Sequence, residues 1–290
     1  MKNRNPDLTA DEASETCQPA RLQRFAAIDR LYGVRESAWI RDLHICIVGI
    51  GGVGSWAVEA LARTGVGRLT LIDDDTIEPG NVNRQIHALT DRFDASKVDE
   101  MADRVRGINP DCRCEPIRAF VTDRSLQAHL DRGYDYVIDA IDSIKFKAAM
   151  IAFCRRRKTP IITTGGAGGR RDPTAVVVAD LARTVQDALA SKVRKRLRDA
   201  HGFSREPRRP FNVDCVYSME QARYPKDDGT VSHEKPGISG VSLDCRFGYG
   251  SATFVTATFG FVAVSRVIEK ALARRLRVEE GIGYTSRGHV

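Results

Sequence analysis

The chain has 290 residues, 42% hydrophobic and 29% charged, a water-soluble globular composition with core enough for one large α/β domain or two small ones. Its formal net charge of +7 favours a polyanionic partner over an acidic one. Seven cysteines at 17, 46, 112, 114, 154, 215 and 245 include no C-x-x-C pair, which excludes a zinc clip of that kind and suits reduced cytosolic thiols.

Residues 1–21 are polar and acidic, lack the charged-then-apolar order of a signal peptide, and read as a flexible tail. An amphipathic helix is expected from Arg24 to about Tyr32, closed by Gly33 as a C-cap, with a second helical segment leading to His44. Short apolar runs then alternate with longer helical ones: strands at 45–48, 69–72, 115–119, 136–141 and 160–164, helices at 53–64, 96–107, 124–131 and 144–156. That rhythm predicts a Rossmann-like, doubly wound, mostly parallel sheet with right-handed crossovers.

After the Gly165–Gly169 run the rhythm breaks. A strand at 175–179 precedes a basic helix with Val185, Leu189, Val193 and Leu197 on one stripe and Lys192, Arg194, Lys195, Arg196 and Arg198 on its other faces. A loop over 199–210 and a strand at 211–218 follow, so the second half extends the sheet. Residues 220–244 are rich in Gly, Pro, Asp and Lys and read as a mobile crossover segment. From Phe247 to Ser265 there is no charge, a length that can span a bilayer. Three glycines and many Thr and Ser favour instead the buried helix of an α/β domain, continuing to about Val278. One domain is expected over 22–278, followed by a flexible tail over 279–290. The expected location is cytoplasmic, with membrane association through 247–265 as the alternative.

The sharpest motif is Gly49-Ile50-Gly51-Gly52-Val53-Gly54, directly after the first strand. Glycines let backbone approach a phosphate, and the helix that starts there turns free N–H groups toward the anion. Asp73 closes the second strand, where a carboxylate can accept ribose hydroxyls. To this point the reading is an adenine nucleotide, with NAD and ATP both open. Beyond Asp73 come Asp75, Asn81, Arg84 and Gln85, then Lys97 at the next helix start. Two cations beside phosphates suit a reaction that builds charge on phosphorus and expels pyrophosphate. No tyrosine is followed by Lys in a Tyr-x-x-x-Lys pair, which removes the short-chain reductase alternative. Asp142, after the fourth strand, offers a carboxylate for Mg²⁺. Each residue also has a plainer role: Asp75 as a turn cap, Arg84 and Lys97 as solvated charges, Asp142 as a helix N-cap.

Taken together, Gly49-x-Gly51-Gly52-x-Gly54, Asp73-x-Asp75, Asn81-x-x-Arg84-Gln85, Lys97 and Asp142 resemble the ubiquitin-activating-enzyme-like ThiF/MoeB superfamily. Asn83–Leu89, Tyr136–Ser143, Thr163–Gly169, Val213–Val216 and Thr256–Ser265 are similar to its tRNA threonylcarbamoyladenosine dehydratases, over nearly the whole chain. The resemblance implies a homodimer that adenylates a carboxylate with ATP and Mg²⁺ and no zinc. It gives ATP binding to the four loop glycines, Asp73, Asp75, Asn81 and Gln85, catalysis to Arg84, Lys97 and Asp142, and Mg²⁺ to Asp142. The implied substrate is N6-threonylcarbamoyladenosine beside the tRNA anticodon, converted to its cyclic, dehydrated form. Members also reach a partner's ATP with an N-terminal arginine, for which Arg24 and Arg30 are the candidates. The alternative is adenylation of the C-terminus of a ubiquitin-like or sulfur-carrier protein. Cys215 or Cys245 would then carry a thioester or persulfide, with a sulfur-transfer or desulfurase partner. A third reading is a basic RNA-binding module using 155–158, 192–198, Arg205, Arg208 and Arg209.

Overall fold

Strands buried on both faces are apolar at nearly every position, and the runs after His44 and Arg68 have that character. In the computed structural model, which describes residues 23–226, 228–234 and 250–281, they form the centre of a seven-stranded sheet. Its strands are β1 (His44–Val48), β2 (Arg68–Ile72), β3 (Arg113–Ile117), β4 (Tyr136–Asp139), β5 (Ile161–Thr164), β6 (Val176–Asp180) and β7 (Asp214–Ser218). The spatial order is β3-β2-β1-β4-β5-β7-β6, parallel at every pairing except β6 with β7. This is the doubly wound, mostly parallel sheet expected, with β6 and β7 as the added strands. Val48 pairs with both Ile72 and Asp139, so the carboxyl ends of β2, β1 and β4 lie level. Strand order reverses between β1 and β4, and such a switch point opens the crevice where ligands bind.

The helices are α1 (23–32), α2 (Val34–Asp42), α3 (Gly54–Thr64), α4 (Lys97–Ile108), α5 (Leu126–Leu130), α6 (Ile144–Arg157), α7 (Ala188–Ala200) and α8 (Thr253–Glu279). Gly33, at φ 90°, separates α1 from α2, and its N–H donates to the Asp29 carbonyl. The period of two along β1 sorts the core: Ile45 and Ile47 join residues of α3, α4 and α8, whereas Cys46 and Val48 join those of α6 and α7.

Several boundaries differ from the sequence-based expectation, each for a local reason. The strand expected at 115–119 is Arg113–Ile117, an edge strand, and only an edge accommodates Pro116. The strand expected to reach Ile141 stops at Asp139, whose carboxylate accepts the Ile141 N–H (3.4 Å) and the Thr163 hydroxyl (2.6 Å). The strand expected from Phe211 starts at Asp214, because Asp180 accepts the Phe211 and Val213 N–H groups at 2.9 and 3.3 Å. Val185 is not on the α7 stripe; Asp187 caps the helix by accepting the Ala190 N–H (2.8 Å), leaving Val185 exposed. Part of the segment read as mobile is a small antiparallel hairpin, β8 (Tyr224–Pro225) with β9 (Val231–Ser232). The remainder, 235–244, lies outside the described residues, as do 227, 1–22, 247–249 and 282–290.

The uncharged stretch enters α8, which buries Val255, Phe259, Ala263, Val267 and Ile268 against α3 and the sheet. Gly260 allows the approach, since a Cβ there would lie 2.7 Å from the Val53 carbonyl oxygen. Among the described residues no helix is long and apolar enough to cross a membrane.

Candidate active site

The cleft sits on the carboxyl ends of the strands. Gly49 has φ 90°, and a Cβ there would press on the Ala140 backbone at 2.9 Å. A Cβ on Gly54 would lie 1.8 Å from the Gly49 carbonyl oxygen, so the loop can close only with glycine at both places. No side chain caps the start of α3 at Val53, which leaves its first turn open to an anion.

Asp73 braces this loop. Its carboxylate accepts the Ile50 N–H at 2.5 Å and the Asp75 N–H at 2.9 Å. Burial nevertheless pushes its carboxyl above the usual range, against those two donors and Lys97. Asp75 is largely exposed and holds the nearly buried Lys97 ammonium at 2.8 Å. Lys97 is therefore a placed cation on the cleft wall and not a solvated charge. Asp75 orients that cation in addition to lining the cleft.

Asn81 lines the cleft but its oxygen is used inside the chain, accepting the Glu78 N–H at 3.1 Å to bracket the short turn Pro79–Asn81. Arg84 lies over the glycine loop, its Cγ 3.0 Å from where a Gly52 Cβ would stand. Its guanidinium donates to the Gly80 carbonyl (2.7 Å) and to Asn83 Oδ1 (3.0 Å), while its own carbonyl accepts the Trp56 indole N–H (3.0 Å). Gln85 is buried at the same wall. Asp142 is exposed in the cleft, and the N-cap of α6 is Ser143, so the capping role considered for Asp142 is not the one it takes.

Arg24 and Arg30 are not brought to this cleft. Arg24 donates to the Ile108 carbonyl (2.7 Å) at the end of α4, and Arg30 is exposed on α1. Cys215 is fully buried in β7, and burial drives its thiol far above the usual range, the opposite of an activated nucleophile. Cys245 lies outside the described residues.

Sequence reasoning missed two groups. Lys147 is fully buried on α6, with Nζ 2.9 Å from Asp139 Oδ2 and 3.0 Å from Thr163 Oγ1, locking the turn that presents Asp142. Asp139 is spent in that network. The second group is the far half of the cleft: the 165–168 glycine turn, Arg170, Gln186, Asp187 and Ser191, beside Lys192 and Arg194, which the sequence offered only as RNA contacts. Arg170 clasps the turn through the Gly166 and Gly168 carbonyls, and Asp187 accepts the Gly166 N–H at 2.9 Å. The glycine run beside a basic helix was the available signal. The two halves form one cleft of about 2020 Å³, lined by the glycine loop, Asp142 and the start of α7.

Comparison with known proteins decides what carries this cleft. The sequence model of the ThiF family matches residues 23–278. The chain belongs to the ThiF family. It is 52% identical to the tRNA threonylcarbamoyladenosine dehydratase of Escherichia coli over 256 residues, covering 88% of this chain and 96% of that one. It is 48% identical to the same enzyme of Haemophilus influenzae over 253 residues, covering 87% and 95%. The crystal structure of the Escherichia coli enzyme in complex with ATP superposes with a TM-score of 0.79 at 49% identity, covering 89% of this chain and 97% of that one. Within the ThiF family, then, the resemblance extends past the glycine loop to β6, β7, α7 and α8.

Proposed function

We propose that this chain catalyses the ATP-dependent dehydration of N6-threonylcarbamoyladenosine in tRNA to the cyclic nucleoside, by adenylating the threonyl carboxylate. The observation that carries this reading is the continuous cleft, whose lining includes a phosphate loop with two cations, Asp142 and a basic helix. A free carboxylate is a poor acyl donor. Its oxygen attacks the α-phosphorus of ATP, the bond to pyrophosphate breaks, and a mixed anhydride with AMP forms. The urea group of the same side chain then attacks the acyl carbon, loses a proton and expels AMP. That second step is intramolecular and gains from proximity alone. Arg84 and Lys97 stabilise charge developing on the phosphates, and Asp73 receives the ribose hydroxyls.

Asp142 fits a Mg²⁺ ion as a single exposed carboxylate, the usual protein contribution where phosphates supply further oxygens. Bound there, the ion would neutralise phosphate charge. In a homodimer, Arg24 or Arg30 of one copy is the candidate to approach the other copy's nucleotide. A tRNA substrate and ATP support a cytoplasmic location. Burial of Cys215 argues against a thioester or persulfide at that residue.

Incubation with modified tRNA and ATP, followed by mass spectrometry of the nucleosides, tests the reading. A nucleoside lighter by one water, with AMP released in equal amount, is expected. Arg84→Ala should lower turnover by about a hundredfold or more. An unchanged nucleoside with the wild-type chain overturns the assignment.

A further inference from the structure

We infer that His87 is a positioning residue: its imidazole holds the Gln85 side-chain oxygen, so that the Gln85 NH₂ group faces the phosphate loop. The inference rests on reading the cleft as a nucleotide site. Gln85 and His87 are each 5% exposed, and His87 Nε2 lies 3.0 Å from Gln85 Oε1. On its other side the Gln85 Nε2 stands 4.0 Å from where a Gly51 Cβ would be. Gln85 lines the cleft and His87 does not, so His87 can act only through Gln85.

An amide oxygen only accepts, so the proton of a neutral imidazole bonded to it sits on Nε2. Burial first, then the charges of Lys97 and Arg104, keep the imidazole neutral, with its pKa lowered to about 4. Nδ1 is then a bare acceptor, buried and without a partner among the described residues. The reversed amide would put the proton on Nδ1 and bury an unpaired N–H, which proteins tolerate less well than an unpaired acceptor. It would also turn the Gln85 oxygen toward the anion. A buried imidazole with one unpaired nitrogen costs stability. An apolar side chain would not, and orientation of the Gln85 donor is the return.

Calorimetric titration of the full chain with ATP tests this, with thermal unfolding as a fold control. Gln85→Ala should weaken ATP binding, and His87→Phe should weaken it comparably, by about tenfold for a hydrogen bond to a charged phosphate. In the Gln85→Ala background, His87→Phe should add nothing, because its effect passes through the amide. His87→Gln, whose amide N–H can reach the same oxygen, should restore wild-type affinity. An equal loss from His87→Phe in both backgrounds would mark a general packing defect and overturn the inference. So would wild-type affinity in a folded His87→Phe. If that variant does not fold, His87→Gln decides alone: affinity as low as that of Gln85→Ala, with wild-type melting, overturns it. A wild-type chain that binds no ATP fails the nucleotide reading itself, a result distinct from all of these.

Discussion

At the residue scale, the glycine loop and Asp73 were legible because their chemistry is local: six residues after a strand, then a carboxylate at the next strand end. Lys97 and Asp142 were legible as residue types but not as placements. That Lys97 is buried and held by Asp75, and that Asp139 is spent on Lys147, depends on groups from different elements. His87 carried no signal, because one histidine on a turn reads as a satisfied core residue. Its burial has a measurable consequence. The unfolded value is near 6.5 and the folded value about 4, so between these limits the unfolded chain binds the extra proton. Neutral His87 therefore contributes fully above about pH 6.5, and that contribution is lost as pH falls through about 4, up to roughly 3 kcal/mol in all. Urea unfolding of wild type and His87→Gln across pH 4 to 7 should show the wild type losing more stability as pH falls. Parallel pH curves would mean that His87 titrates alike in both states.

At the element scale, the sequence located the first five parallel strands and the helices between them, since apolar runs and caps are encoded within a few residues. It misplaced ends wherever a side chain from elsewhere stops a ladder. Asp139 and Asp180 each take backbone N–H groups that would otherwise extend β4 or begin β7 early. The α8 helix was legible as apolar, yet its role is set by Gly260, which brings it onto α3 directly behind the phosphate loop. Helix propensity alone predicts that Gly260→Ala stabilises α8 by about 1 kcal/mol. The added Cβ would meet the Val53 oxygen at 2.7 Å and the Ala57 nitrogen at 2.9 Å, both backbone atoms of the loop and of α3. Backbone cannot rotate away as a side chain can, so overpacking should prevail. A net loss of about 1–3 kcal/mol is expected in chemical unfolding, with weaker ATP binding because Val53 belongs to the loop. A stabilised variant with unchanged ATP affinity would show that α8 and α3 separate without consequence.

At the scale of the whole molecule, the sequence suggested a polyanionic partner through its net charge of +7 and singled out the 155–158 and 192–198 clusters, but not that the two lie side by side. The fold brings it together: α6 ends in the exposed Arg155, Arg156, Arg157 and Lys158, and α7 packs beside it with Lys195 and Arg196 exposed. Lys192 and Arg194 on the same helix turn into the cleft. A tRNA following this surface would lead a modified base toward Asp142 while its phosphates stay on the helices. Phosphate contacts release counterions, so affinity must fall steeply with salt. Lys195→Ala with Arg196→Ala touches neither the glycine loop nor the cations on it. This pair should leave ATP affinity unchanged, weaken tRNA binding at low salt, and reduce the slope of log K against log salt by about 2. Filter binding of tRNA between low and physiological salt measures that slope. A slope unchanged by the double substitution would place the phosphate path away from α7, and α6 with its four terminal cations would be the next surface to neutralise.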